Sequence, residues 1–128
     1  MKINIEVSIG ELIDKLSILE IKLEKIDDKE KILNIEKEYK LLKIEYEKIA
    51  KTHSDITNYF EKIKIINLEI WTMEEDIRHL IKLEKFGSDY IDIARKIQRK
   101  NDHRFEVKND INKVFNSNLL EQKSYPKY

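Results

Sequence analysis

Apolar side chains recur every three or four residues along most of the chain, which places them on one face of an α-helix. The first series follows Ser8, and Glu11 three residues later completes the pattern of a helix-capping box. Its apolar positions are Leu12, Leu16, Leu19, Leu23 and Ile26. A second series, after a short polar break, comprises Ile32, Ile35, Tyr39, Leu42, Tyr46 and Ile49. This coiled-coil-like spacing predicts two antiparallel helices, at residues 8–26 and 29–52.

Two further helices are predicted in the second half of the chain, at residues 55–86 and 88–116. Ser54 or Asp55 is expected to cap the start of the third helix, and Gly87 to take the C′ position after its end. Ser88 or Asp89 would cap the fourth. Apolar positions of the third helix are Tyr59, Ile63, Ile66, Ile70, Met73, Ile77 and Leu80, and those of the fourth are Tyr90, Ala94, Ile97, Phe105, Ile111 and Phe115.

The two ends of the chain have a different pattern. Ile3, Ile5 and Val7 alternate with polar residues, which is typical of a short strand over residues 1–7. Because one strand is not stable alone, it must pair with another chain, pair with the tail, or pack as an arm. The tail, 117–128, shows no period. We therefore predict one all-α domain, 1–128: an up-down bundle of about four long helices, expected to form a homodimer.

Composition narrows the class of protein. There is no cysteine among the 128 residues, which excludes a disulfide scaffold, thiolate catalysis and cysteine-based zinc sites. Lys+Arg and Asp+Glu each total 25, so a partnership with nucleic acid is not predicted. No apolar run approaches the roughly 20 residues of a membrane span, and the N-terminus does not resemble a signal peptide. A cytoplasmic location is therefore expected.

Arginine is rare and confined to one region. It occupies four positions, all between residues 78 and 104, whereas lysine fills the remaining 21 of the 25 basic positions. In a composition that favours lysine, a retained arginine indicates a need for its planar guanidinium, which pairs with carboxylate or phosphate through two parallel bonds. An ordinary ion pair on a helix surface is the alternative.

Polar residues also recur at helical spacing, directly beside the apolar faces. Asn67, Trp71, Glu74 and Arg78 share such a border on the third helix. The fourth helix has a similar border (Asn101, Arg104, Lys108 and Asn112), and the first has two: Glu11, Lys15 and Lys22 on one, and Gly10, Asp14 and Ser17 on the other. Facing one another, these borders would form a polar pocket inside the bundle. The predicted ligand-binding residues are Lys15, Asn67, Trp71, Glu74, Arg78, Arg95, Asn101, Arg104, Lys108 and Asn112. Alternatively, these side chains only extend from the edge of the core into water, as Glu75 and His79 are expected to do.

No motif identifies a reaction, so the catalytic residues are unassigned. The acids Glu74, Glu75 and Asp76 are consecutive and point in three directions, and the three histidines are isolated. Neither a glycine-rich phosphate loop nor a nucleophile elbow occurs. No metal and no cofactor is predicted. A metal-dependent all-α nucleotide hydrolase, with Glu74 and Asp76 or Asp102 as ligands, stays open as an alternative.

Four segments together resemble an uncharacterised domain-of-unknown-function family of bacterial proteins, also found in viruses. They are "EVSIGELIDKLSILEIKLEKI", "NLEIWTMEEDIRHL", "ARKIQRKNDHRFEVKNDIN" and "NSNLLEQKSYPKY". Members often occur beside, or fused to, glycosyltransferase-like proteins, but the resemblance implies no activity. The polar positions that it implies are Glu6, Ser8, Gly10, Glu11, Asp14, Lys15, Asn67, Trp71, Glu74, Asp76, Arg78, Arg95, Asn101, Asp102, Arg104, Lys108, Asn112, Glu121, Lys123 and Tyr125.

Pattern and resemblance together favour a binding module without catalysis. Its ligand would be an anionic, phosphorylated or nucleotide-like small molecule such as a nucleotide-sugar, or a charged segment of a partner protein. The setting implied by the resemblance makes a glycosyltransferase a candidate partner and glycan assembly a candidate process. The hydrolase and a purely structural, dimerising helical scaffold are the two alternatives to this binding module.

Overall fold

The computed structural model describes residues 1–124 and 126; Tyr125 and residues 127 and 128 of the predicted tail lie outside this part of the chain. Its helices are α1 (Ile9–Lys25), α2 (Lys29–Thr52), α3 (Ile56–Lys82) and α4 (Ser88–Val114). The prediction of an all-α bundle of four helices is therefore confirmed. Residues 1–7 are an irregular arm, and no strand occurs within 1–124.

The starts of α1 and α2 both have side-chain caps, and the cap of α1 is the one that the sequence predicts. The Ser8 hydroxyl accepts a hydrogen bond from the Glu11 backbone N–H, and the Asp28 carboxylate accepts one from that of Lys31. Each cap satisfies one of the N–H groups that a helix leaves unpaired at its first turn. At α3, by contrast, Asp55 precedes the helix without a side-chain cap.

The connection between α3 and α4 corrects two predictions. α3 ends at Lys82, and Glu84 takes the left-handed conformation after it, with φ 56°. The Lys85 N–H then donates to the Leu80 carbonyl at 2.9 Å, the bond that closes a Schellman motif. Gly87 was expected at this C′ position, but with φ −82° it instead precedes α4 as the N-cap, in place of Ser88 or Asp89.

Replacing Glu84 by glycine is expected to stabilise the protein slightly. A left-handed backbone costs a residue with a Cβ about 1–2 kcal/mol, which glycine avoids. The greater freedom of glycine in the unfolded chain offsets about 0.5–1 kcal/mol of that gain. The free energy of unfolding, measured by urea denaturation, should rise by about 0.5–1 kcal/mol. Asn116, also left-handed with φ 55°, offers the control Asn116→Gly, which should change less because asparagine tolerates this conformation.

One hydrophobic core contains residues from all four helices. α1 packs against the other three, while α3 and α4 form a second antiparallel pair along much of their length. The core residues are Ile13, Leu16, Tyr46, Ile56, Phe60, Ile63, Ile66, Ile70, Val107, Ile111 and Phe115. Among the described helices, none has both the length and the apolar character that crossing a bilayer requires.

The α3–α4 pair is longer than the helix that covers it. At 27 residues each these helices span about 40 Å, whereas the 17 residues of α1 span about 25 Å. Of the described residues, none in α3 after Ile70 and none in α4 before Ile97 is buried. The pair therefore extends beyond the core, and the polar residues beside the end of α1 border an open cleft.

Candidate functional site

The N-terminus of α1 is held by the C-terminus of α4. The Gly10 N–H donates to the Asn112 side-chain oxygen at 2.7 Å, and the Ile9 N–H to the Ser117 hydroxyl at 3.2 Å. A Cβ on Gly10 would lie 2.6 Å from the carbonyl oxygen of Lys108. The two backbones can approach this closely only because residue 10 has no side chain.

A Schellman turn at the end of α4 supplies part of this contact. Asn116 is left-handed, and the Ser117 N–H donates to the Asn112 carbonyl at 2.7 Å. The turn brings the Ser117 hydroxyl to Ile9. With the Ser8 cap, three backbone N–H groups in the first turn of α1 therefore have side-chain acceptors, two of them from α4 or the turn after it.

Beneath this contact lies a buried polar network that joins α1 to α3. The Asn67 side-chain N–H group donates to the Asp14 carboxylate and to the Ser17 hydroxyl, both at 2.8 Å. Ser17 in turn donates to the Asp14 carbonyl at 2.7 Å. All three side chains are buried. Because both acceptors fix the amide N–H end of Asn67, its carbonyl oxygen has to face α4.

That carbonyl oxygen positions Arg104. One guanidinium nitrogen donates to it at 2.9 Å, and the second donates to the Asn101 side-chain oxygen at 3.0 Å. Both acceptors are neutral amides, and no carboxylate of the described residues lies within ion-pair distance of Arg104. The half-buried guanidinium is thus held in one orientation without an ion pair to any of the described residues.

Lys108, one turn further along α4, is in the opposite situation. Its ammonium lies 2.8 Å from a Glu11 carboxylate oxygen, 3.2 Å from Asp14 and 3.2 Å from Glu121. Burial lowers the pKa of Lys108, but the hydrogen bond to Glu11 and the charges of the three carboxylates outweigh it, so the pKa lies above 10.5. Glu121 also attaches the tail, because its carbonyl accepts a bond from Asn109 at 3.3 Å.

A cleft of about 420 Å³ opens beside Arg104. Its apolar wall is formed by Ile18 and Ile21 of α1 together with Ile70 of α3. The polar lining residues are Asn67, Trp71, Glu74, Glu75, Arg78 and Arg104. The Trp71 indole N–H donates to the Glu75 carboxylate, which fixes the ring as one side of the cleft. The side chains of Glu74 and Arg78 form no hydrogen bond or ion pair with the rest of the described chain.

The structure brings most of the predicted residues to one region but not to one surface. Asn67, Trp71, Glu74, Arg78 and Arg104 line the cleft, and Asn101 contacts Arg104. Lys108 and Asn112 belong to the α1–α4 contact. Lys15 is exposed and lies 3.5 Å from Glu38, and Arg95 is exposed on α4, so neither reaches the cleft. Ligand binding by these residues stays a prediction.

Several residues of the site were not among the predicted ligand-binding residues. Asp14, Ser17 and Glu11 were recognised as borders of α1, and Glu121 through the resemblance, but none was assigned to the site. Their type and spacing are those of ordinary surface positions. Glu75 is exposed, as expected, but it also borders the cleft, where its carboxylate accepts the hydrogen bond from Trp71. Only the indole N–H four residues earlier could have indicated this contact.

The carboxylates proposed for a hydrolase do not form a cluster in the described part of the chain. Asp76 is exposed on α3 and Asp102 half-buried on α4. Across residues 1–124 and 126, no group of three His, Asp or Glu side chains is arranged to hold a metal ion. The three carboxylates that do converge surround Lys108, whose ammonium occupies the space between them.

Comparison with known proteins assigns the chain to a family. The family of unknown function DUF6165 matches residues 1–127, so the chain belongs to it. No curated protein and no solved structure matches the chain. The family has no assigned function, and any functional statement therefore rests on the residues of the site.

Proposed function

We propose that this DUF6165 protein is a non-catalytic binding module whose cleft between α1, α3 and α4 holds an anionic small molecule. The observation that supports it is the state of Arg104: oriented by two asparagines, in no ion pair with a carboxylate of the described residues, and at the edge of the cleft. A guanidinium has five N–H donors, and the two amides use only part of them. The remaining donors suit a phosphate or carboxylate group.

The buried network explains how such a site would be pre-organised. Asp14 and Ser17 fix the Asn67 amide, and Asn67 fixes Arg104. The arginine has therefore lost part of its rotamer freedom before a ligand arrives, which reduces the entropy cost of binding. In this proposal Asn67 and Asn101 are positioning residues, and Arg104 contacts the ligand.

The rest of the cleft suits a ligand that is not only anionic. The Trp71 ring and the isoleucines offer a flat apolar surface for a base or the face of a sugar ring. Glu74 can accept hydrogen bonds from hydroxyl or amino groups, and Arg78 offers a second cation. The cleft volume of about 420 Å³ lies within the range of small-molecule sites. A nucleotide or nucleotide-sugar combines these chemical groups.

Lys108 and Asn112 have a different role in this proposal from the one that their spacing suggests. Lys108 is surrounded by three carboxylates, and an incoming phosphate would be repelled by them. Asn112 is buried and bonded to the Gly10 backbone. Both residues stabilise the α1–α4 contact on which the cleft depends. A charged segment of a partner such as a glycosyltransferase, acting in cytoplasmic glycan assembly, would have to present its anion to the same Arg104.

A thermal-shift screen with Arg104 variants tests this function. Phosphorylated metabolites, including nucleoside diphosphates and nucleotide-sugars, should raise the melting temperature, since a ligand at about 100 times its Kd adds about 2.7 kcal/mol to stability. Arg104→Ala should remove the shift, measured against its own ligand-free melting temperature. Arg104→Lys should raise the Kd about tenfold, because lysine keeps the positive charge but not the planar set of N–H donors.

Two further variants separate binding from folding. Arg95→Ala removes an exposed arginine of the same helix, away from the cleft, and should keep the full ligand-induced shift. Trp71→Ala changes the cleft without touching the Asn67–Arg104 bonds and should reduce the shift. If no phosphorylated compound stabilises the wild-type protein, or if the Arg104 and Arg95 variants behave alike, the proposed function is wrong.

A further inference from the structure

The N-terminal arm, residues 1–7, has a strict alternation that the bundle does not use. Its odd positions are apolar (Met1, Ile3, Ile5, Val7) and its even positions are polar (Lys2, Asn4, Glu6). Ile3 and Ile5 keep 79% and 75% of their surface exposed. No backbone hydrogen bond joins the arm to the described residues, and neither Lys2 nor Glu6 forms an ion pair with them. The arm is thus a strand-like sequence that has no strand partner among the described residues.

A groove of about 950 Å³ separates the arm from the helices. The arm forms one side of it with Ile3, Ile5 and Val7. Leu12, Leu42, Ile49 and Phe115 line the opposite side. Exposed apolar side chains therefore lie above a surface that they do not fill, and that surface contains Glu11, Lys15, Glu45 and Lys48 beside its apolar residues. A segment with unpaired backbone groups and an apolar face is a template for pairing with another strand.

We propose that the arms of two copies of this chain pair as antiparallel strands about a two-fold axis at Asn4. In this register residue n of one arm lies opposite residue 8 − n of the other arm. Lys2 then lies opposite Glu6 of the second copy and Ile3 opposite its Ile5, each pair occurring twice, while Asn4 faces its own counterpart. All ion pairs are on one face of the two-stranded ribbon and all apolar pairs on the other.

This complementarity favours a second copy over a different partner. An arm that paired with the edge of an unrelated sheet would need alternating apolar and polar residues. It would not need two opposite charges at equal distances on either side of its central residue. Antiparallel neighbours of opposite charge stabilise a strand pair, and like charges destabilise it. Two strands alone are marginal in water and need a helix or further strands to cover one face. The groove beside α1 and α2 provides that cover for the apolar face.

Charge exchange tests the register. Light scattering with size-exclusion chromatography should give twice the 15.5 kDa chain mass for the wild type. Glu6→Lys places two lysine pairs in the ribbon and should raise the dimer dissociation constant about tenfold or more, as should Lys2→Glu. The double variant Lys2→Glu/Glu6→Lys restores both pairs with their signs exchanged and should return the dissociation constant to near the wild-type value. The circular dichroism of all variants should stay helical, since the arm lies outside the bundle.

Cysteine cross-linking tests the axis, because the chain has no cysteine of its own. In the proposed ribbon, facing residues have Cα atoms about 4.5–5.5 Å apart, which a disulfide can join. Asn4→Cys should therefore cross-link to a dimer under mild oxidation. Glu6→Cys alone should not, because its two copies are four positions apart along the ribbon, about 14 Å. Glu6→Cys mixed with Lys2→Cys should cross-link again.

Two results would overturn the inference. One is a wild-type chain that stays monomeric throughout a concentration series. The other is a dimer in which the single charge variants associate as tightly as the wild type, or in which position 6 cross-links to itself as readily as position 4. Neither result bears on the ligand cleft, since the arm and Arg104 share no residue or contact, so the two proposals stand or fall separately.

Discussion

Replacing Lys108 by alanine is expected to lower the free energy of unfolding by about 3–5 kcal/mol, the largest effect of any substitution considered. Among the described residues, Lys108 is the one cation that contacts Glu11, Asp14 and Glu121, and its removal leaves the buried Asp14 carboxylate without an opposite charge. It also removes the ion pair that attaches the tail to α4. Urea denaturation at neutral pH, followed by circular dichroism, measures the loss.

Lys15→Ala is the matched control, because Lys15 also lies near a glutamate of another helix but in water. The two side chains of that pair keep 58% and 46% of their surface exposed, and exposed pairs contribute about 0–1 kcal/mol. A Lys108 variant that loses no more stability than the Lys15 variant would show that the cluster does not stabilise the fold.

The difference in the free energy of unfolding between the wild type and Lys108→Ala should become smaller at alkaline pH. The folded state raises the pKa of Lys108, so it holds this proton more tightly than the unfolded chain does. The resulting stability is complete below the ordinary value of 10.5 and is lost as pH rises through the folded pKa. Burial also raises the pKa of Tyr46 above 10.0, so ionisation of Tyr46 at high pH lowers the free energy of unfolding of the wild type and of the variant alike. The comparison with the variant therefore isolates Lys108.

Gly10→Ala is expected to destabilise the protein by about 2 kcal/mol. The added Cβ would meet the Lys108 carbonyl oxygen at 2.6 Å and the Asn112 side-chain oxygen at 2.9 Å, and a backbone carbonyl cannot rotate away. Relieving that contact by separating the helices costs about 3 kcal/mol. The better helix propensity of alanine offsets about 1 kcal/mol. The melting temperature should fall by about 8 °C.

The second glycine of the chain provides the control. A Cβ on Gly87 has no neighbour within 4 Å, and its φ of −82° suits any residue. Gly87→Ala should therefore leave the melting temperature within about 2 °C of the wild type. Equal effects of the two substitutions would mean that the helices do not need the close approach at Gly10.

The helices and the face that each buries followed from periodicity, because side-chain spacing on a helix is a local property. Ile63, Ile66, Ile70 and Ile111 were placed in the core correctly on this basis. The positions of the helix ends were predicted less accurately than the buried faces. Gly87 strongly predicts a helix end, yet α3 stops earlier. There Glu84 is left-handed and the Lys85 N–H bonds to the Leu80 carbonyl, a turn that none of these residue types predicts.

The candidate site divides in the same way. Spacing placed Asn67, Trp71, Glu74 and Arg78 on one border of α3, and all four line the cleft. Spacing could not show that Arg104 and Lys108 have different partners, because the two residues lie one turn apart on the same face of α4. Their difference depends on partners that are distant in sequence: Glu11 and Asp14 for the lysine, Asn67 for the arginine.

The sequence by itself therefore determined four amphipathic helices, their approximate lengths and the polar border of each, since these depend on neighbours within a few residues. Only the tertiary structure decided which border charges compensate one another. Among the described residues, Lys108 lies between three carboxylates and Arg104 donates to two amides without an ion pair, and this depends on helix packing rather than on residue type. Because a bare Cβ at Gly10 would prevent that packing, one position without a side chain brings both groups into place.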